Sequence, residues 1–141
     1  MNLRTSSLLI GLCFAAAGAV QAETLHFMAT LAGSTEVPPN ATTGVGDVAA
    51  TLDTVTGVFS YKVTYAGLTG PAAMAHFHGP AGPGANAPPV ITMTTLASPI
   101  AGSATLAPPQ VADLTAGHWY FNVHTAAHMS GEIRGQLTRA P

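Results

Sequence analysis

The sequence predicts an all-β domain, an antiparallel Greek-key β-sandwich or squat barrel of about seven or more strands. Three observations predict it. Polar and apolar residues alternate with a period of two in one segment after another. Turn-forming residues separate those segments, with 15 glycines and 11 prolines in 141 residues. Helical periodicity is confined to a short turn around Val111-Ala112-Asp113-Leu114.

Each strand is argued from its own alternation. Leu25, Phe27, Ala29 and Leu31 interleave with Thr24, His26, Met28 and Thr30, and Val37-Pro38-Pro39 ends that stretch. Val45 to Leu52 forms a second strand of small residues. Phe59, Tyr61, Val63 and Tyr65 interleave with Ser60, Lys62 and Thr64 in a third. In the fourth, Ala73, Ala75 and Phe77 oppose Met74, His76 and His78. Val90 to Leu96 reads as a fifth strand, following the long Gly/Pro-rich loop Gly79–Pro89. His118, Tyr120, Asn122 and His124 alternate with Trp119, Phe121 and Val123, and Ile133, Gly135 and Leu137 with Glu132, Arg134 and Gln136.

Residues 1–22 have the pattern of a secretory signal peptide. Arg4 precedes the apolar stretch Leu8–Val20, which ends on the small-residue site Val20-Gln21-Ala22. Cleavage after Ala22 leaves a single domain, residues 23–141, for the periplasm or the exterior. It also removes Cys13, the one cysteine. The exported domain then has no disulfide, thiolate zinc site, iron–sulfur cluster or cysteine-ligated blue copper. No later stretch is long and apolar enough for a membrane span.

Composition narrows the function further. Charged residues make up 7% of the chain, and the net charge is −2 with no basic run, which argues against nucleic-acid binding. There is no Gly-x-Ser-x-Gly elbow and no phosphate-binding glycine loop. Glu36, Asp47, Asp53, Asp113 and Glu132 are scattered, so no carboxylate pair for glycoside hydrolysis is visible. The domain is read as a non-enzyme unless a metal supplies redox chemistry.

Six histidines outnumber the four lysines and arginines. Strand alternation places Met74, His76 and His78 on one face, and His118, Asn122 and His124 on one face, away from Phe77, Trp119 and Phe121. They point away from the main hydrophobic layer or toward a second, polar one. His-x-His sets two imidazoles side by side, and His128 can fold back over His124 from the following turn. The predicted metal ligands are therefore His76, His78, His124 and His128, with Met74, Met129 and His26 as additional candidates. His118 is a bystander. Asn122, Glu132 and Arg134 are candidate supporting residues behind the ligands. For Glu132 and Arg134 the competing expectation is an ion pair or cross-strand contact. Imidazole favours copper, with zinc as the alternative, and the thioethers would favour Cu(I).

Three segments carry a family resemblance. Phe27-Met28-Ala29-Thr30-Leu31-Ala32-Gly33-Ser34-Thr35-Glu36-Val37-Pro38-Pro39 resembles the opening of the CHRD domain, named from chordin. Leu68-Thr69-Gly70-Pro71 and Ala75-His76-Phe77-His78-Gly79-Pro80-Ala81 resemble its centre. Tyr120-Phe121-Asn122-Val123-His124-Thr125-Ala126-Ala127 and Gly131-Glu132-Ile133-Arg134-Gly135-Gln136-Leu137 resemble its end. The resemblance implies a compact all-β domain in an exported protein. It implies no biochemical role, because chordin's growth-factor partners do not transfer to a lone domain. The family commonly has Asn-Pro where this chain has His128-Met129. In arrangement only, the histidines look like those of Cu,Zn superoxide dismutase.

Three functions compete: an exported copper-binding protein for storage, delivery or resistance; an extracellular structural or protein-interaction module whose histidines brace the fold; and a superoxide dismutase-like redox enzyme. Implied partners are a metal ion, another exported protein, or a second copy sharing a metal across a two-fold axis.

Overall fold

The computed structural model describes residues 22–141. The signal-peptide assignment falls almost wholly outside them. The strands are β1 (Thr24–Ala32), β2 (Val45–Asp53), β3 (Val58–Ala66), β4 (Ala72–His78), β5 (Pro89–Thr92), β6 (Ile100–Thr105), β7 (Tyr120–Thr125), β8 (Ile133–Gln136) and β9 (Thr138–Arg139), with one helix, α1 (Pro108–Thr115). All are antiparallel, in the order β5-β4-β7-β8-β1-β2-β3-β6, with β9 added to β1.

This sheet is a nearly closed barrel, the second of the two architectures the sequence allows. Its end strands, β5 and β6, are consecutive in the chain, so the segment between them crosses the seam. Met93 N–H donates to Ala75 O at 3.0 Å, Tyr65 O–H donates to Leu96 O, and Tyr65 N–H donates to Ser98 Oγ at 3.0 Å.

Alternation builds the interior. Leu25, Phe27, Ala29 and Leu31 of β1 are buried while Thr24, His26, Met28 and Thr30 face out. β2 and β3 contribute Val48, Leu52, Phe59 and Val63. Phe59 meets Phe77 edge-on across the barrel, centroids 5.2 Å apart, and Trp119 at 5.8 Å. Leu106 and Leu114 bring α1 into the core. Pro108 opens that helix, and Gly117, at φ +76°, follows its end.

Three details differ from the sequence reading. The fifth strand ends at Thr92 rather than Leu96, because the chain must leave β4 to cross the seam. β7 starts at Tyr120, leaving His118 exposed before it. β6 and β9 carry no alternation signal: of β6 only Ile100 is buried, and β9 has two exposed residues.

Candidate metal centre

The outer face of β4, β7 and β8 is not left to solvent. Pairing sets Met74 opposite His124, His76 opposite Asn122 and His78 opposite Tyr120, and then Asn122 opposite Arg134. Two loops cover this face. One follows β1 and brings in Glu36; the other is the Gly79–Pro88 loop. It starts at a glycine because a Cβ at Gly79 would sit 2.6 Å from Trp119 Cδ1. Beneath the loops His76, His78 and His124 are 7–8% exposed, and Glu36, Asn122 and Arg134 2–3%. The polar layer expected from the sequence is present, and it is buried.

The three histidines converge. One ring nitrogen from each of His76, His78 and His124 lies within 4.8 Å of the others. Two rings are oriented by backbone: His78 Nδ1–H donates to Ala87 O at 2.8 Å and His124 Nδ1–H to Met129 O at 2.9 Å. A carbonyl only accepts, so in each neutral ring Nε2 is left as a lone pair. Those two Nε2 atoms lie 2.9 and 3.0 Å from Asn122 Oδ1, itself an acceptor. His76 Nδ1 lies 3.3 Å from His124 Nε2. A tetrahedral ion with bonds of about 2.0–2.1 Å has its ligand nitrogens ~3.3–3.4 Å apart. Burial, with His124 and His78 nearby, pushes His76 below the usual histidine pKa. Burial also lowers His78, against its contacts to Ala87 and Asn122. Both effects favour neutral rings, the form that binds metal.

The surroundings are rigidly tied. Tyr120 stacks on His78, centroids 4.6 Å apart and planes within 2°, and the Arg134 guanidinium lies 3.4 Å from the Tyr120 ring centroid. Arg134 also holds the covering loop, donating to Asn86 Oδ1 at 2.9 Å and Ala85 O at 2.7 Å. Replacement by lysine removes the fork and the flat stacking surface. Arg134→Lys is expected to cost about 1–3 kcal/mol, with faster amide exchange at Asn86 and Ala87 than in the wild type. Unchanged protection there would show that Arg134 does not tether the loop.

Glu132 makes a second centre at the barrel's end. Its Oε1 accepts from Thr42 Oγ1 and Thr69 N, and its Oε2 from Thr69 Oγ1, all at 2.7 Å, and from Thr125 Oγ1 at 2.6 Å. Burial pushes this carboxyl up, but the hydrogen bonds outweigh it and hold the pKa at about 2. The Glu132–Arg134 ion pair expected from the sequence does not form. Among the described residues the salt bridge is Arg139–Glu23, at 2.7 Å. Glu132 prefers the threonines because they surround both of its oxygens, while Arg134 is engaged by Tyr120 and the loop.

A family model described as the CHRD domain matches residues 27–137. The chain belongs to the CHRD domain family. No curated protein and no solved structure matches it.

In this CHRD domain the central segment supplies His76 and His78 and the closing segment His124, Asn122, Glu132 and Arg134. Of the residues singled out in the sequence, His76, His78 and His124 come together and Asn122 touches two of them. Arg134 reaches His78 through Tyr120, and Glu132 reaches the strand of His124 through Thr125. His128 lies outside the cluster, half-buried in the turn after β7, where its backbone pairs with Thr125 and Gly131. Met74, 37% exposed, is the cross-strand partner of His124, and Met129, 61% exposed, holds His124 through its carbonyl. His26 is exposed on β1, away from the cluster. Tyr120 and Glu36 were missed as members of this layer. Tyr120 shares the parity of Asn122 and His124, which would have found it; nothing in the sequence marks Glu36 as buried.

Proposed function

We propose that this CHRD domain is an exported metal-binding protein, periplasmic or secreted after cleavage near Ala22. It holds copper through His76, His78 and His124 for storage, delivery or resistance. The observation that carries the reading is the surplus of lone pairs. Two Nε2 atoms, oriented by backbone carbonyls, face a third imidazole nitrogen and an amide oxygen, and a cation satisfies all of them. Copper is favoured over zinc by its affinity for imidazole. No helix among the described residues is long and apolar enough to cross a membrane.

The competing reading is a structural module, and the same distances support a version of it. His76 Nδ1–H can donate to His124 Nε2 across 3.3 Å. Turning the Asn122 amide end for end aims its NH₂ group at His78 Nε2. Metal titration separates the two. Binding at micromolar affinity or tighter is expected for copper, with a rise in Tm of roughly 10 °C at 100-fold excess over Kd. A Tm unmoved by copper, zinc or chelator would establish the module.

A further inference from the structure

A cavity of about 400 Å³ opens beside the histidine layer, between the loop after β1 and the Gly79–Pro88 loop, with β8 as its floor. Ser34, Glu36, Val37, Pro39, Arg134 and Gln136 are among the residues lining it. It contains no histidine, so it is a separate compartment from the proposed metal site.

Its charged groups are not equally engaged. The Arg134 guanidinium stacks on Tyr120 and donates to Asn86 and Ala85. Glu36, 3% exposed, has two long contacts: Val37 N–H at 3.3 Å and Asn122 Nδ2 at 3.4 Å. It forms no salt bridge among the described residues. A carboxylate removed from water normally has shorter and more numerous donors, as Glu132 does in the same domain. Gln136, on the floor, is also incompletely bonded. Gln136 uses its amide NH₂ on Ala81 O and Gly117 O, and its buried Oε1 has no partner. The chemistry lacking in the cavity is therefore a donor group, preferably cationic. Val37, Pro39 and Pro83 give it an apolar wall suited to a short aliphatic chain.

We infer that this cavity binds a primary alkylammonium group, with the ammonium against Glu36 and the carbon chain along Val37 and Pro39. The group belongs either to a free small amine or to a lysine side chain of a partner protein. This inference is independent of the metal reading.

The test is an amide-resolved NMR titration of the metal-free protein with n-butylammonium, n-butanol and Nα-acetyl-lysine methylamide. Saturable shifts by n-butylammonium at Thr35, Glu36, Val37 and Gly84 are expected, with n-butanol weaker by about tenfold or more. Glu36→Gln should weaken the amine by about tenfold or more. Ser34→Phe, an exposed-residue change that fills the cavity without touching Glu36, should abolish binding and leave the rest of the spectrum in place. Tighter binding of the lysine derivative assigns the site to a partner protein, and tighter binding of the free amine to a small ligand. Equal affinity for butanol and butylammonium, no saturable shift at these residues, or full binding to folded Ser34→Phe overturns the inference.

Discussion

Replacing Glu132 by alanine is expected to lower stability by about 3–5 kcal/mol, a fall in Tm of roughly 10–20 °C. The carboxylate is fully buried and accepts four hydrogen bonds, from Thr42, Thr69 and Thr125. Those donors come from two connections and the end of β7, and alanine leaves them facing a void. Glu132→Gln keeps the volume and one carbonyl oxygen and should lose roughly half as much. The effect also has a pH signature. A carboxyl held at about 2 when folded, against an ordinary value of 4.5, stabilises the native state above pH 4.5. That contribution, on the order of 2–3 kcal/mol, is lost as pH falls from about 4.5 toward 2. Glu36 acts in the opposite sense: burial raises its pKa, so protonating it on acidification favours the folded state over the unfolded one. His76 and His78, with lowered pKa values, add acid sensitivity at higher pH, below their ordinary value of 6.5. The measurement is therefore the difference between wild type and Glu132→Gln in urea unfolding at pH 7, 4 and 2.5. A gap that does not narrow as pH falls would show that the carboxylate is not the group responsible.

Metal affinity should fall by roughly 100-fold or more in His78→Ala, and similarly in His124→Ala and His76→Ala, because each removes one of three nitrogens from the centre. His128→Ala should bind as the wild type does, since its ring lies outside the converging set. The order of losses separates a built site from adventitious surface binding, which would fall by similar small amounts for any histidine removed, exposed His26 and His118 included. Protein stability gives an independent control. Removing His78 exposes the face of Tyr120 on which it stacks, so some destabilisation is expected even without metal. An affinity unchanged in His76→Ala, His78→Ala and His124→Ala alike would end the metal reading.

Gly131 ties these two centres together and sets a third, smaller expectation. It sits at φ +128°, and a Cβ there would collide with the Glu36 carboxylate. Gly131→Ala should destabilise the domain by about 2 kcal/mol or more, from backbone strain and displacement of Glu36. Thermal unfolding checks it, and a Tm within a degree of wild type would contradict it.

Strands with one dry and one wet face were legible, because burial of one face imposes period two on the sequence. β1, with Leu25, Phe27, Ala29 and Leu31 inside, is the clearest case. β6 was not legible. As an edge strand it owes the core only Ile100, and its Gly102 is there because the Tyr61 ring lies across it, a Cβ being only 2.5 Å from Tyr61 Oη. The His76–His78 pair followed from alternation alone, whereas the third ligand was a choice among histidines. Only the antiparallel pairing of β4 with β7 puts His124 beside His76 and leaves His128 in a turn.

By itself the sequence determined the all-β class, the domain's family and the outward direction of the histidines. These depend on residue identity and local periodicity, which act within one strand. Barrel rather than sandwich, the burial of the outward face, the lone-pair convergence and the threonine cage around Glu132 were decided by the tertiary structure. Each depends on residues distant in the chain, Thr42 and Thr69 with Glu132, Ala87 with His78, Glu36 with Asn122. Such contacts follow from strand pairing and loop packing, for which a polar loop residue carries no local signal.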